Sequence, residues 1–129
     1  MIAKVKYVDG REVRDRNVDF VMGGHHLIFN FIPHGEVWIE NTFSKYDQHL
    51  TEVHEQVEYF CMKDDWSYEN AHEFANRFEH KLRNYFRDDK DTVTKLAIFK
   101  RFHTLAASFP KIEKLAREMV KEEESEFHG

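Results

Sequence analysis

The period of the hydrophobic pattern changes once along this chain, and that change limits the fold more than any other feature. In the first forty residues, apolar side chains alternate with polar ones in short runs, as expected for β-strands. From about Lys45 onward, they recur every three or four residues, as expected for amphipathic helices. The sequence therefore predicts the α+β class, with a small N-terminal antiparallel sheet followed by helices.

Short strands are expected in the N-terminal part at residues 2–8, 18–22, 26–32 and 36–40. Asp9-Gly10 is a strong signal for a hairpin turn after the first of them. Pro33-His34-Gly35 marks a second turn before the last one. These turns predict neighbouring antiparallel strands.

The helical part is expected to begin with an αα-hairpin, with helices at about 45–62 and 68–86. Asp65 or Ser67 is suited to cap the second helix. Two further helices are predicted, one opened by Asp91 and one by Pro110, since proline is tolerated in a first helical turn. The chain is predicted to be one domain, residues 1–129, divided into the sheet at 1–42, the helix pair at 43–87 and the C-terminal helices at 88–129.

Composition narrows the classes of function. The net charge of −5 argues against nucleic-acid binding, because a phosphate-binding surface needs an excess of Lys and Arg. The single cysteine, Cys61, excludes an internal disulfide and is typical of a reducing compartment. There is no apolar run near the roughly 18 residues of a membrane span, and no signal-peptide pattern. We expect a soluble cytoplasmic protein, in the host cytoplasm if the chain is viral, with its oligomeric state left open.

The high count of nine histidines directs attention to metal binding. His54 and Glu58 lie four residues apart on the first predicted long helix, so they share one face about 6 Å apart along the axis. An imidazole and a carboxylate at this spacing can hold one cation, as two imidazoles do in the HExxH motif. This pair alone is a weak signal.

The second helix supplies a third candidate ligand, His72. Glu58 and His72 each lie about five residues, or roughly 7.5 Å, from the loop of the hairpin, so they are level with each other. Ala71 and Ala75 flank His72 and allow the helices to approach closely. A histidine on an apolar face is either a core residue or a ligand. Opposite His54 and Glu58, we favour the ligand.

Two glutamates are candidates for supporting roles. Glu79 is expected to accept the free ring N–H of His54 behind the metal, although a salt bridge to a nearby Arg or Lys is an equal alternative. Two histidines and one carboxylate leave a tetrahedral zinc, or another divalent transition metal, with one open position for water. Glu55 is placed to take a proton from that water as general base, unless it is an ordinary exposed glutamate.

Together these motifs resemble a known family. They comprise Gly23-Gly24-His25, the segment FIPHGEVWIE at 31–40, HExxE at 54–58 and AHxxAxxxE at 71–79. They are similar to a family of small zincin-like metalloproteins from microbes and viruses, over about residues 18–83. The resemblance implies a sheet whose last strand borders the site, with His54, Glu58 and His72 as ligands and Glu55 as base. The chain has Glu58 where zinc peptidases have a second histidine.

The leading hypothesis is a zinc-dependent, metallopeptidase-like hydrolase. Its peptide or protein substrate would pair with the strand at 36–40, where Glu36 and Trp38 are candidates to face it, although a core position for Trp38 is the simpler interpretation. The alternative is a non-catalytic, metal-stapled binding protein that acts through a partner. His25, after the glycine pair, is suited to reach in as a fourth ligand, but a surface loop is the preferred interpretation.

A third hypothesis, ranked last, is a dinuclear iron or manganese carboxylate site. It would recruit four of the residues discussed above: Glu55, Glu58, His72 and Glu79. Such sites usually draw ligands from four helices. The two C-terminal helices offer only His103 and Glu113.

Overall fold

A computed structural model describes the backbone of residues 2–128 and the side chains of residues 2–126. The elements in chain order are β1 (Lys4–Val8), α1 (Gly10–Arg14), β2 (Gly23–His25), β3 (Glu36–Glu40), α2 (Lys45–Lys63), α3 (Tyr68–Tyr85), α4 (Lys95–Ala106) and α5 (Pro110–His128). A small sheet is thus followed by long helices, and the predicted α+β class is confirmed.

The sheet is mixed, which corrects the predicted antiparallel arrangement. β3 lies in the centre, with β1 parallel to it on one side and β2 antiparallel to it on the other. The predicted hairpin at Asp9-Gly10 is wrong, because the carboxylate of Asp9 accepts a hydrogen bond from the backbone N–H of Arg11 at 2.9 Å and caps α1 instead. The chain then crosses over before it returns as β3, so β1 and β3 run in the same direction.

The strands predicted at 18–22 and 26–32 are also wrong. Both segments form turns, bends and irregular backbone, and the observed strand β2 lies between them. Their apolar residues surround the fully buried Phe20, whose ring centroid lies 5.8 Å from that of Phe29 and 6.2 Å from that of Phe31. The alternation in the sequence therefore comes from a small aromatic cluster in a loop and not from a sheet.

The helices follow the predictions closely. Ser44 and Ser67 cap α2 and α3, and each hydroxyl accepts a backbone N–H three residues on, at 3.2 Å. Asp65 adopts a positive φ of 67° in the loop between them. α5 begins at Pro110 as predicted, but α4 begins at Lys95 with Thr94 as its cap, and not at Asp91. None of the helices among the described residues is long and apolar enough to cross a membrane.

Helix α2 is covered on two sides, by the sheet and by the other long helices. This position buries polar residues as well as apolar ones: Gln48, Thr51, Glu52, His54, Glu55, Gln56 and Glu58. Buried polar groups need partners. The side chain of Gln56, for example, accepts from the backbone N of Ala3 at 3.1 Å and donates to its carbonyl at 2.8 Å, which fixes the start of β1 against α2.

Candidate metal centre

The three predicted ligands come together in space. His54 Nε2 lies 3.2 Å from Glu58 Oε2, His72 Nδ1 lies 2.8 Å from the same oxygen, and the two nitrogens are 3.3 Å apart. Ligands of a tetrahedral zinc, at bonds of roughly 2.0–2.1 Å, are about 3.3–3.4 Å from one another. The three atoms therefore form a triangle close to one face of such a tetrahedron, and their chemistry suits a transition-metal dication.

The helix pair positions this triangle. His54 and Glu58 lie one turn apart on α2, and His72 faces them from α3. Ala71 and Ala75 are fully buried, so α3 can approach α2 closely at this level. Tyr68 stacks on the His72 ring at a centroid distance of 5.2 Å, which limits the rotation of that ring.

The electrostatics of Glu58 and His54 favour a positive charge beside the Glu58 carboxylate. Burial opposes ionisation of Glu58, but hydrogen bonds from His25, His54 and His72 hold the pKa of its carboxyl well below its usual range. Burial also disfavours a charged His54, yet its contacts with Glu58 and Glu79 raise its pKa to about 10. These contacts favour the protonated form of His54, so a metal bound at Nε2 would have to displace that proton.

Glu79 lies in contact with both groups considered for it, the His54 ring and an arginine. Its Oε1 lies 2.9 Å from His54 Nδ1, the ring nitrogen turned away from the triangle. Its Oε2 accepts a hydrogen bond from Arg83 Nε at 2.9 Å. Arg83 in turn donates to Asp47 at 2.8 Å. Glu79 is therefore held in place while it orients the His54 ring.

Glu55 is not an ordinary exposed glutamate. Its side chain is 6% exposed, and its carboxylate has no hydrogen-bond partner among the described residues. Burial and the neighbouring Glu58 raise the pKa of its carboxyl above its usual range. A buried carboxylate of raised pKa beside a cluster of candidate ligands is typical of a group that exchanges protons.

His25 is the residue that the sequence interpretation misplaced. It is fully buried, not on a surface loop, and its Nε2 lies 2.9 Å from Glu58 Oε1. The backbone of β2 lies directly on α2, since a Cβ at Gly23 would be 3.0 Å from Thr51 Cγ2 and 3.3 Å from Glu55 Cγ. A glycine in a strand often marks such a close approach, so the glycine pair was the available signal.

A cleft of about 340 Å³ opens onto the triangle. One wall carries the candidate site residues His54, Glu55, Glu58, His72 and Glu79. The other wall carries the residues of β2 and the loop after it, including Gly23, Gly24, Ile28 and Phe29. The three candidate ligands are therefore accessible to a small molecule or an extended chain.

Glu36 and Trp38, the candidates to face a substrate, are not among the described residues that line this cleft. Trp38 Nε1 donates to Glu36 at 3.0 Å, and the Trp38 ring packs on Phe31 at a centroid distance of 5.9 Å. Their strand, β3, is paired on both sides, so an extended substrate has no free edge there. This corrects the predicted substrate position.

The remaining candidate ligands form a separate pair. His103 Nε2 lies 2.8 Å from Glu113 Oε1, and Glu113 also accepts from Arg117 at 2.8 Å. This pair lies apart from the first centre, where the ligand atoms, the cleft and the buried carboxylate are found together.

Comparisons with protein-family models, with curated proteins and with solved structures find no match to this chain.

Proposed function

We propose that this protein is a zinc-dependent hydrolase of the zincin-like kind that its motifs resemble, acting on peptide or amide bonds. The observation that supports this most is the triangle of His54, Glu58 and His72, with edges of 2.8 to 3.3 Å. Three protein ligands leave one position open, which is the arrangement of catalytic zinc and not of structural zinc. The same three residues line the cleft.

A dication held there would lower the pKa of a water in the open position to near 7 and polarise the scissile carbonyl. Glu55 accepts the proton of the attacking water and passes it to the leaving nitrogen. Burial beside Glu58 raises the pKa of Glu55, which favours retention of the proton between these two steps. Glu79 keeps the His54 ring in its ligating orientation through the 2.9 Å contact with Nδ1.

The substrate is proposed to lie along β2. This strand is at the edge of the sheet, and Gly23 and Gly24 line the cleft opposite the candidate ligands. An extended peptide can add to such an edge through main-chain hydrogen bonds, which places a peptide carbonyl over the site. We further propose that the protein acts in the cytoplasm, or in the host cytoplasm if it is viral, which agrees with its single, buried, unpaired cysteine, Cys61.

The first test is metal content. After dialysis, elemental analysis is expected to find about one tightly bound zinc per chain, and far less in His54→Ala and in His72→Ala, because each loses a ligand. Glu73→Gln, at an exposed position of α3, is the control and should keep its zinc. Full zinc content in both alanine variants would contradict the proposed site.

The second test is turnover on a peptide library. Glu55→Gln should keep zinc and fold but lose activity, because the water loses its base. A Glu55→Gln protein as active as the parent would remove Glu55 from the mechanism. A parent that binds zinc, gains thermal stability from it and cleaves nothing would instead favour the metal-stapled binding protein.

A further inference from the structure

Glu58 presents its two oxygens to two different groups of ligands. Oε2 faces His54 and His72, whereas Oε1 lies 2.9 Å from His25 Nε2. Glu55 lies near this contact, since one ligand atom from each of His25, Glu55 and Glu58 lies within 4.8 Å of the others. A second group of metal-ligand type therefore shares Glu58 with the first.

This second group is buried and incompletely satisfied. His25, Glu55 and Glu58 are 0%, 6% and 3% exposed. His25 Nδ1 is a buried atom with no hydrogen-bond partner among the described residues. The Glu55 carboxylate borders the cleft and forms no hydrogen bond with those residues. Two neighbouring buried carboxylates are strongly unfavourable without a compensating cation. Of the groups whose charge acts on Glu55, Glu58 and Glu79 are negative and His54 is positive, so two negative neighbours face one positive imidazole and no lysine or arginine.

We propose that His25, Glu55 and Oε1 of Glu58 form a second divalent-metal subsite, bridged to the first by the Glu58 carboxylate. One nitrogen and two carboxylate oxygens suit Zn²⁺ or Mn²⁺. A bridging carboxylate places two such ions about 3.5–4 Å apart. The additional ligand comes from strand β2 and not from α4 or α5, where a dinuclear site of the four-helix kind would require it.

The second subsite binds more weakly than the first. The first triangle already has edges of 2.8 to 3.3 Å, close to the spacing that a bound ion imposes. In the second group the contact between His25 and Glu58, at 2.9 Å, is equally short, but no hydrogen bond joins Glu55 to either residue among the described side chains, so the Glu55 side chain has to adjust around an ion. The ion also has to displace the proton between His25 and Glu58.

The consequence for activity rests on the proposed function. If Glu55 is the base, an ion in the second subsite occupies the carboxylate that takes the proton from water. Filling the first subsite then activates the enzyme, and filling the second inhibits it. The site becomes sensitive to the concentration of free divalent metal.

The test is a titration of the metal-free full chain with Zn²⁺ against a chromophoric chelator. Two steps are expected in the parent. His25→Gln and Glu55→Gln should keep the tight step and weaken the second by more than about 100-fold, since each loses one ligand. His103→Gln replaces a histidine of the separate pair with Glu113 and should keep both steps.

Mn²⁺ provides an independent readout by electron paramagnetic resonance. One equivalent should give the signal of an isolated ion, and two equivalents a spin-coupled pair, which His25→Gln should abolish. If circular dichroism shows that His25→Gln does not fold, Glu55→Gln is the variant used to test the second subsite. Glu55 borders the cleft, and glutamine has nearly the same shape as glutamate, so we expect this variant to fold.

The outcomes separate the two proposals. A single step in the parent, or two full steps in both glutamine variants, overturns the second subsite alone. An absence of any metal binding overturns both proposals. Two steps without hydrolysis at one equivalent overturn the proposed function and leave the subsite. Hydrolysis that rises at the second equivalent overturns the inhibitory role.

Discussion

Helix α2 buries carboxylates in two regions, and the negative charge of these carboxylates is compensated differently in each region. Glu52, 2% exposed, has Lys95 Nζ at 3.4 Å and the hydroxyl of Tyr7 at 3.3 Å. Glu58, 3% exposed, is surrounded by imidazoles, and Glu55 beside it has no hydrogen-bond partner among the described residues. A lysine supplies a permanent charge and has no lone pair to offer, whereas a neutral histidine is a metal ligand. One region therefore contains a lysine cation, whereas the other contains histidine and glutamate side chains grouped as candidate metal ligands.

The Glu52 region serves the fold. Lys95 of α4 also approaches Glu123 of α5 at 3.5 Å and donates to Tyr7 of β1 at 3.1 Å, so one ammonium group joins four elements. Burial alone would lower the pKa of Lys95. The charge of Glu52 and the other partners of Lys95 raise this pKa by a larger amount, so the ammonium group stays charged. The groups of candidate metal ligands found among the described residues do not include Glu52 or Glu123.

The largest expected effect comes from neutralising each carboxylate in turn. Glu58→Gln should reduce bound zinc from about one to below roughly a tenth per chain, because the carboxylate is the anionic ligand that both histidines share. Glu52→Gln should leave zinc content unchanged, although it is an equally conservative change at an equally buried position of the same helix. Elemental analysis of the two proteins decides. Equal zinc loss in both would mean that the two regions do not differ in the way described.

A smaller effect concerns pH. Burial raises the pKa of Glu52 to about 7, above that of the unfolded chain. Because the pKa of Glu52 is higher in the folded than in the unfolded chain, this residue stabilises the fold at pH values below the unfolded-state pKa. That contribution to the free energy of unfolding is lost as the pH rises through about 7. Glu52→Gln should therefore gain stability relative to the parent between pH 4.5 and 8, by at most about 3 kcal/mol. Urea unfolding of both proteins at saturating zinc measures this, and a constant difference across pH would contradict it.

The smallest expected effect concerns the orientation of His54. Glu79→Ala should weaken zinc binding by about 10- to 100-fold, because it frees the His54 ring, and Glu79→Gln should recover part of that loss. Asp47→Asn is the matched control, because Asp47 shares Arg83 with Glu79 but does not touch the site. Competition with a chelator gives the affinities. An equal loss in Asp47→Asn would attribute the effect to Arg83 instead.

The helical half of the fold could be predicted because its signals are local. The period of the apolar residues, the cap Ser67 and the break around Asp65 all lie within or directly beside the elements that they define. The sequence also predicted that His72 and Glu58 lie at the same height along their two helices, because each is about the same number of residues from the loop between them. These arguments needed no information about the sheet.

The sheet and the position of His25 could not be predicted in this way. β1 pairs with β3 across about thirty residues, and nothing local to either strand distinguishes a parallel from an antiparallel partner. The loop around Phe20 mimics strand alternation because its aromatic residues fill a small core. His25 reaches the site because Gly23 lets β2 lie against α2, a contact that depends on the assembled fold.

The sequence separation of the candidate ligands also predicts the order in which they come together during folding. Glu58 is 14 residues from His72 but 33 residues from His25. Closing a short loop costs less chain entropy than closing a long one, and local contacts tend to form first. The hairpin of α2 and α3 can therefore gather His54, Glu58 and His72 before the sheet docks. An ion captured at that stage would act as a folding nucleus, whereas the second subsite exists only once β2 has reached its place.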